Sequence, residues 1–173
     1  MTSILAAQLT TAGTDTLPYG DLAPFAVECL HPGRTLIEKL LRVNNFAVDP
    51  SRRSSNHGWP RIGRQFYDIW ALLGNRQVLD FLEDRTTSSA VMEDAIAVSA
   101  GIRPDSPPPR DGFSASPVFN PRWEGHPRLR AEHDSAMNTL YFGAEDPPSM
   151  REVLDRVANN TDLLNFVSPL SGP

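Results

Sequence analysis

The chain has 173 residues, 40% of them apolar and 21% charged, which suits one globular domain with a sizeable core and argues against wholesale disorder. Its net charge of −5 argues against indiscriminate nucleic-acid binding, and its single cysteine excludes a disulfide framework or a cysteine-built metal site. No apolar run reaches the roughly 18 to 20 residues that span a bilayer, and the N-terminus lacks the basic start and apolar stretch of a signal peptide, so a cytoplasmic protein is expected.

Taken in chain order, "SILAAQL" predicts a helix that stops at Gly13, and a turn-rich connector follows. "FAVECL", residues 25–30, predicts a short strand halted by "HPG". Thr35 and Glu38 have the spacing of a capping box, which opens a helix carrying Leu36, Ile37, Leu40, Leu41 and Val43 on one arc to about Phe46. Residues 49–60 predict a mobile polar loop. "RIGRQFYDIWALLG" predicts a second amphipathic helix, with Ile62, Phe66, Ile69 and Leu73 on the core face and Arg61, Arg64 and Asp68 opposite. Two further helices, "RQVLDFLED" and "SSAVMEDAIAVSAG", precede a proline-rich break and an irregular aromatic stretch, "FSASPVFNPRW". "RLRAEHDSAMNTLYFG" predicts a helix with Leu129, Met137, Leu140 and Tyr141 in the core. A last helix opens on a capping box of Ser149 and Glu152 and buries Met150, Val153, Leu154 and Val157. The sum is an α+β chain, predominantly helical: a helix and strand over 1–30, a helical domain over 31–165 and a flexible tail over 166–173.

The charge is unevenly placed. Residues 1–30 carry three acids and no base. Residues 31–76 carry eight bases against three acids, a net +5, and the remainder carries eight bases against fifteen acids. A basic segment in an acidic chain is a candidate phosphate site, although a solvated arginine-rich loop has the same composition. Fifteen of the 16 basic residues are arginine, and Lys39 is the one lysine. The capping box puts Lys39 in the first helical turn, beside Arg34, where unpaired backbone N–H groups favour anions. By position alone it reads first as an ordinary lysine flanking a core helix. Asp68 alone reads as an ion-pair partner for its neighbouring arginines. The four histidines, His31, His57, His126 and His133, show no metal-ligand spacing, and no glycine-rich phosphate loop or nucleophile elbow is present.

Together, "LHPGRTLIEKLL" and "RIGRQFYDIWALL" resemble the AbiEii family of nucleotidyltransferase toxins, which includes the MenT toxins. The matching positions are Pro32, Thr35, Glu38 and Lys39, then Arg61, Arg64 and Asp68. The later "LRAEHDSAMNTLYFG" and "PPSMREVL" resemble the same family, so the likeness runs from about residue 25 to 165. It implies a minimal nucleotidyltransferase fold and transfer of NMP from an NTP, with Mg²⁺ when the full site is assembled. Implied partners are a tRNA acceptor and an AbiEi-type antitoxin. It also implies catalytic roles for Lys39 and Asp68, and phosphate binding by Arg34, Lys39, Arg61 and Arg64. The family's N-terminal "GG" or "GS" turn and its Mg²⁺-holding D-x-D are not found; "AGTDTLPYGD" has no D-x-D. The chain is therefore expected to be the C-terminal half of such a protein, completed by a missing N-terminal half or associating through an exposed apolar surface as a homo-oligomer. The competing expectation is a non-catalytic helical remnant that binds nucleotide or a protein partner.

Overall fold

The computed structural model describes residues 4–15, 28–54, 58–102, 109 and 111–165. Among these are nine α-helices, two short 3-10 turns and no strand. The chain falls into two compact units, Met1–Leu30 and His31–Pro173. In the first, α1 (Ile4–Thr11) ends at Gly13, whose φ of +78° is the left-handed conformation that glycine adopts without steric cost. The expected strand is not seen where it can be judged. Residues 25–27 lie outside the described set, and Glu28, Cys29 and Leu30 are exposed and irregular. A lone strand has no ladder to hold it, and the described structure is all helix.

The second unit is a helical assembly around α2 (Pro32–Val48) and α4 (Gly58–Leu73). The start of α2 differs from the sequence expectation. Pro32 occupies the first helical position, where its missing N–H costs nothing, and His31 is the cap: its Nδ1 accepts the Gly33 N–H at 3.1 Å. Thr35 is thus inside the helix, and Lys39 lies about two turns in rather than in the first turn. Leu36, Ile37, Leu40, Leu41, Val43 and Phe46 are all buried, as the apolar arc predicts.

The expected mobile loop over 49–60 is largely structured, with residues 55–57 outside the described set. A short helix, α3 (Pro50–Ser54), follows Asp49, whose carboxylate accepts from the Ser51 N–H and hydroxyl and from Arg52. The Ser51 hydroxyl, foremost, holds the Asp49 carboxyl below its ordinary pKa. The indole N–H of Trp59 donates to the Arg53 carbonyl at 2.8 Å, which fixes the entry into α4.

Helix α4 is central. It packs on α2, on α5 (Arg76–Glu83), on α7 (His126–Leu140) and on α8 (Met150–Asn159). Ile62, Phe66, Ile69 and Leu73 fill the core; losing the fully buried Phe66 ring would cost about 3–5 kcal/mol. Against α7 the approach is close because Gly63 has no side chain: a Cβ there would lie 2.6 Å from backbone atoms of Glu132. His133, fully buried on α7, donates from Nε2 to the Pro148 carbonyl at 2.8 Å, with Nδ1 3.3 Å from the Gly63 carbonyl. This histidine is a structural cross-tie. Leu129 and Met137 are buried as expected. Leu140 is half exposed, because α7 ends there and turns its last residue to solvent.

Helix α6 (Arg85–Ile102) packs against α2 and α5. The 3-10 turns Phe113–Ala115 and Pro117–Phe119 bring Phe113, Val118 and Phe119 into the core. The predicted capping box of α8 is present, with Ser149 and Glu152 bonding reciprocally. A final turn, α9 (Thr161–Leu164), buries Leu164. Most of the proline-rich break and all of the 166–173 tail lie outside the described residues.

Candidate functional site

The hydrogen bond between Lys39 and Asp68 defines the site. Lys39 of α2 donates from Nζ to Asp68 Oδ2 of α4 at 2.6 Å, across 29 residues of sequence. The side chains are 26% and 37% exposed, so solvent and ligands reach both while their stems pack between the helices. The reason for this lysine's position is therefore not a helix N-terminus. Lysine's compact ammonium on a long stem crosses the α2–α4 seam and meets one carboxylate.

Arg61 and Arg64 lie on the same outward stripe of α4 as Asp68, about 10 and 6 Å away along the axis at 1.5 Å per residue. Both are exposed, and among the described residues neither forms an ion pair. The expected Asp68–arginine pairing is replaced by the pairing with Lys39, leaving two guanidinium groups without counter-ions. Guanidinium forks suit phosphate oxygens. Arg34 is placed differently. It bonds Glu38 on its own helix at 3.1 Å and Asp94 on α6 at 2.5 Å, and these carboxylates, Asp94 foremost, raise its pKa. The structure thus brings Lys39 and Asp68 together with Arg61 and Arg64 on the adjoining face, and ties Arg34 to α6. A groove of about 340 Å³ between α2 and α6, lined by Glu38, Leu41, Arg42, Asn45 and Val98 among others, holds none of these five site residues.

Sequence reasoning missed the aromatic side of the stripe. Tyr67, next to Asp68, stacks on Trp70 with centroids 6.2 Å apart and meets Tyr141 edge-on at 5.7 Å. Trp70 in turn carries the Arg156 guanidinium 4.0 Å over its ring, and Arg156 also donates to the Trp70 carbonyl at 2.8 Å. That carbonyl is among the last four of α4, which have no partner within the helix. Tyr141 had read as a core residue; an aromatic immediately before Asp68 was the available signal.

Among the described residues no group of three or more His, Cys, Asp or Glu side chains is arranged to hold a metal ion. Asp68 spends Oδ2 on Lys39, and an ammonium beside the only carboxylate of the pair opposes a cation there. The donor set does not fit Mg²⁺, and no step is assigned to one. His57 lies outside the described residues. His31 and His133 are engaged in capping and cross-tying, and His126, half-buried beside Arg130, has its pKa lowered by burial and then by that charge.

A lysine–carboxylate pair flanked by unpaired arginines on an accessible helix face is an arrangement for binding a polyanion. Comparison with known families gives it a context: the model of the AbiEii nucleotidyl transferase toxins of type IV toxin–antitoxin systems matches residues 7–156, and the chain belongs to this family. The match starts earlier and ends sooner than the resemblance read over about 25–165, and it spans every site residue above. No curated protein and no solved structure matches the chain. Family membership carries an NTP substrate and an antitoxin counterpart, and such nucleotidyltransferases are typically Mg²⁺-dependent. Among the described residues no helix is long and apolar enough to cross a membrane.

Proposed function

We propose that this chain takes part in transferring a nucleoside monophosphate from an NTP to an RNA acceptor, a tRNA, within a toxin–antitoxin system whose antitoxin is of the AbiEi type. The observation that carries the reading is the Lys39–Asp68 contact at 2.6 Å beside the unpaired Arg61 and Arg64. An acceptor hydroxyl oxygen bonds to the α-phosphorus, the bond to the departing pyrophosphate breaks, and the hydroxyl proton leaves to solvent or a base. Lys39 follows the phosphates as charge redistributes, because its point charge sits on a flexible stem. Arg61 and Arg64 hold the outer phosphates, and Asp68 orients Lys39 between turnovers. Arg34 would have to release two carboxylates to join them.

The test incubates the purified chain with labelled NTP and total RNA. It is run alone and together with any segment encoded directly upstream that carries the D-x-D motif. Labelled tRNA that disappears in Lys39→Ala supports the reading. Labelling that survives Lys39→Ala refutes the role given to Lys39. Nucleotide binding without labelling under either condition supports the non-catalytic reading.

A further inference from the structure

Five residues of α4 that stay out of the core share one outward strip: Arg61 and Arg64 are exposed, and Tyr67, Asp68 and Ala71 are half-buried. At 100° per residue Tyr67 and Asp68 stand on opposite edges of this strip, with Arg64 between them and one turn back. Each edge has a flank from another element. Lys39 of α2 stands at the Asp68 edge. Tyr141, just past the end of α7, stands at the Tyr67 edge, where Gly63 lets α7 approach. The strip is therefore a floor with a cation along one side and aromatic rings along the other.

The aromatic side is firmly held and still accessible. Arg156, Trp70 and Tyr67 form a pile, with the guanidinium 4.0 Å over the indole and the indole 29° from the Tyr67 ring plane. Arg156 occupies Trp70, which leaves Tyr67 and Tyr141 as the rings at the strip. Among the described residues neither tyrosine hydroxyl has a hydrogen-bond partner, although the hydroxyl end of Tyr141 lies against Gly143, and Phe142, next to Tyr141, is 91% exposed. Half-buried tyrosines with unengaged hydroxyls suit a planar, heteroatom-edged ring. The following loop carries exposed Glu145 and Asp146, which repel a polyphosphate backbone from this flank. The fit is to the base of a single nucleotide and not to a stretch of RNA.

We propose that Tyr67 and Tyr141 are the nucleobase contacts of the site, with the base against the two rings and the phosphates running over Arg64 toward Lys39. This rests on the phosphate reading above and adds the end of the substrate that reading leaves unassigned. Base–aromatic contact tolerates every base, so discrimination among NTPs should be modest.

The experiment measures dissociation constants of ATP, GTP, CTP and UTP, and of inorganic triphosphate, by titration calorimetry. Proteins are the wild type, Tyr67→Ala, Tyr67→Phe, Tyr141→Ala and Lys39→Met, each checked for folding by circular dichroism. Tyr67→Ala and Tyr141→Ala should weaken NTP binding about tenfold, the scale of one base–aromatic contact, and leave inorganic triphosphate binding unchanged. Tyr67→Phe keeps the ring and loses the hydroxyl, so it should weaken NTP binding by about threefold, less than Tyr67→Ala, and leave inorganic triphosphate binding unchanged, which keeps a test available if an alanine variant does not fold. Lys39→Met should weaken both ligand classes. The proposal is overturned if NTPs bind wild type no more tightly than inorganic triphosphate, if Tyr67→Ala and Tyr141→Ala bind NTPs normally, or if no NTP binds. Failure of the phosphate reading appears separately, as triphosphate binding indifferent to Lys39→Met.

Discussion

Replacing Asp68 by Asn keeps the shape of the side chain and removes the charge that engages Lys39. The two groups are in contact at 2.6 Å, but with side chains 26% and 37% exposed they are screened by water, so the pair is worth about 1 kcal/mol and not the several of a buried one. An incoming phosphate competes with Asp68 for the same ammonium. Removing the competitor should tighten inorganic triphosphate binding by about fivefold, the factor corresponding to 1 kcal/mol. Transfer to RNA should fall, because Lys39 is no longer oriented when the site is empty. Calorimetric titrations of triphosphate into wild type, Asp68→Asn, Lys39→Met and the double variant, at low and high salt, isolate the coupling. In the Lys39→Met background the Asp68 substitution should have little effect. Equal or weaker binding by Asp68→Asn would refute the competition and, with it, the assignment of Lys39 as the phosphate ligand held in reserve.

Two other outcomes follow from the packing. Gly63→Ala should lower stability by about 1–3 kcal/mol in denaturant unfolding, because the added methyl meets the rigid Glu132 backbone. It should also weaken NTP binding more than triphosphate binding, since displacing α7 moves Tyr141 from Tyr67. His126 has its pKa lowered by burial and by Arg130, so between that lowered value and about 6.5 the unfolded chain binds more protons than the folded one. Stability should therefore fall as pH drops below 6.5, and His126→Gln should flatten that part of the profile in thermal unfolding measured at several pH values.

The helices of the core were legible because their apolar residues repeat with the helical period. Leu36, Leu40 and Val43 on α2, and Ile62, Phe66 and Ile69 on α4, are buried where the period placed them. The start of α2 was not legible. Thr35 and Glu38 have capping-box spacing, but Pro32 fixes its own φ and His31 offers a ring nitrogen, and together they open the helix sooner. Asp49 likewise turned an expected loop into a helical turn through side-chain bonds that spacing alone does not predict. The Lys39–Asp68 contact was reachable only through the family resemblance, because nothing local links residues 29 apart. Tyr141, which meets Tyr67 edge-on, was hidden for a related reason: an aromatic at the end of an amphipathic helix has the sequence signature of a core residue.

The solitary lysine also makes the protein chemically distinctive. Apart from the chain's own α-amine, Lys39 carries its one primary amine, and that amine stands in the candidate site. An amine-selective acylating or aldehyde reagent thus meets a single side-chain amine, and an endoprotease specific for lysine has one place to cut. The cut would fall within α2, so resistance to it reports whether that helix is intact. Protection from acylation reports whether the ammonium is engaged, and the fifteen arginines contribute no background to either signal.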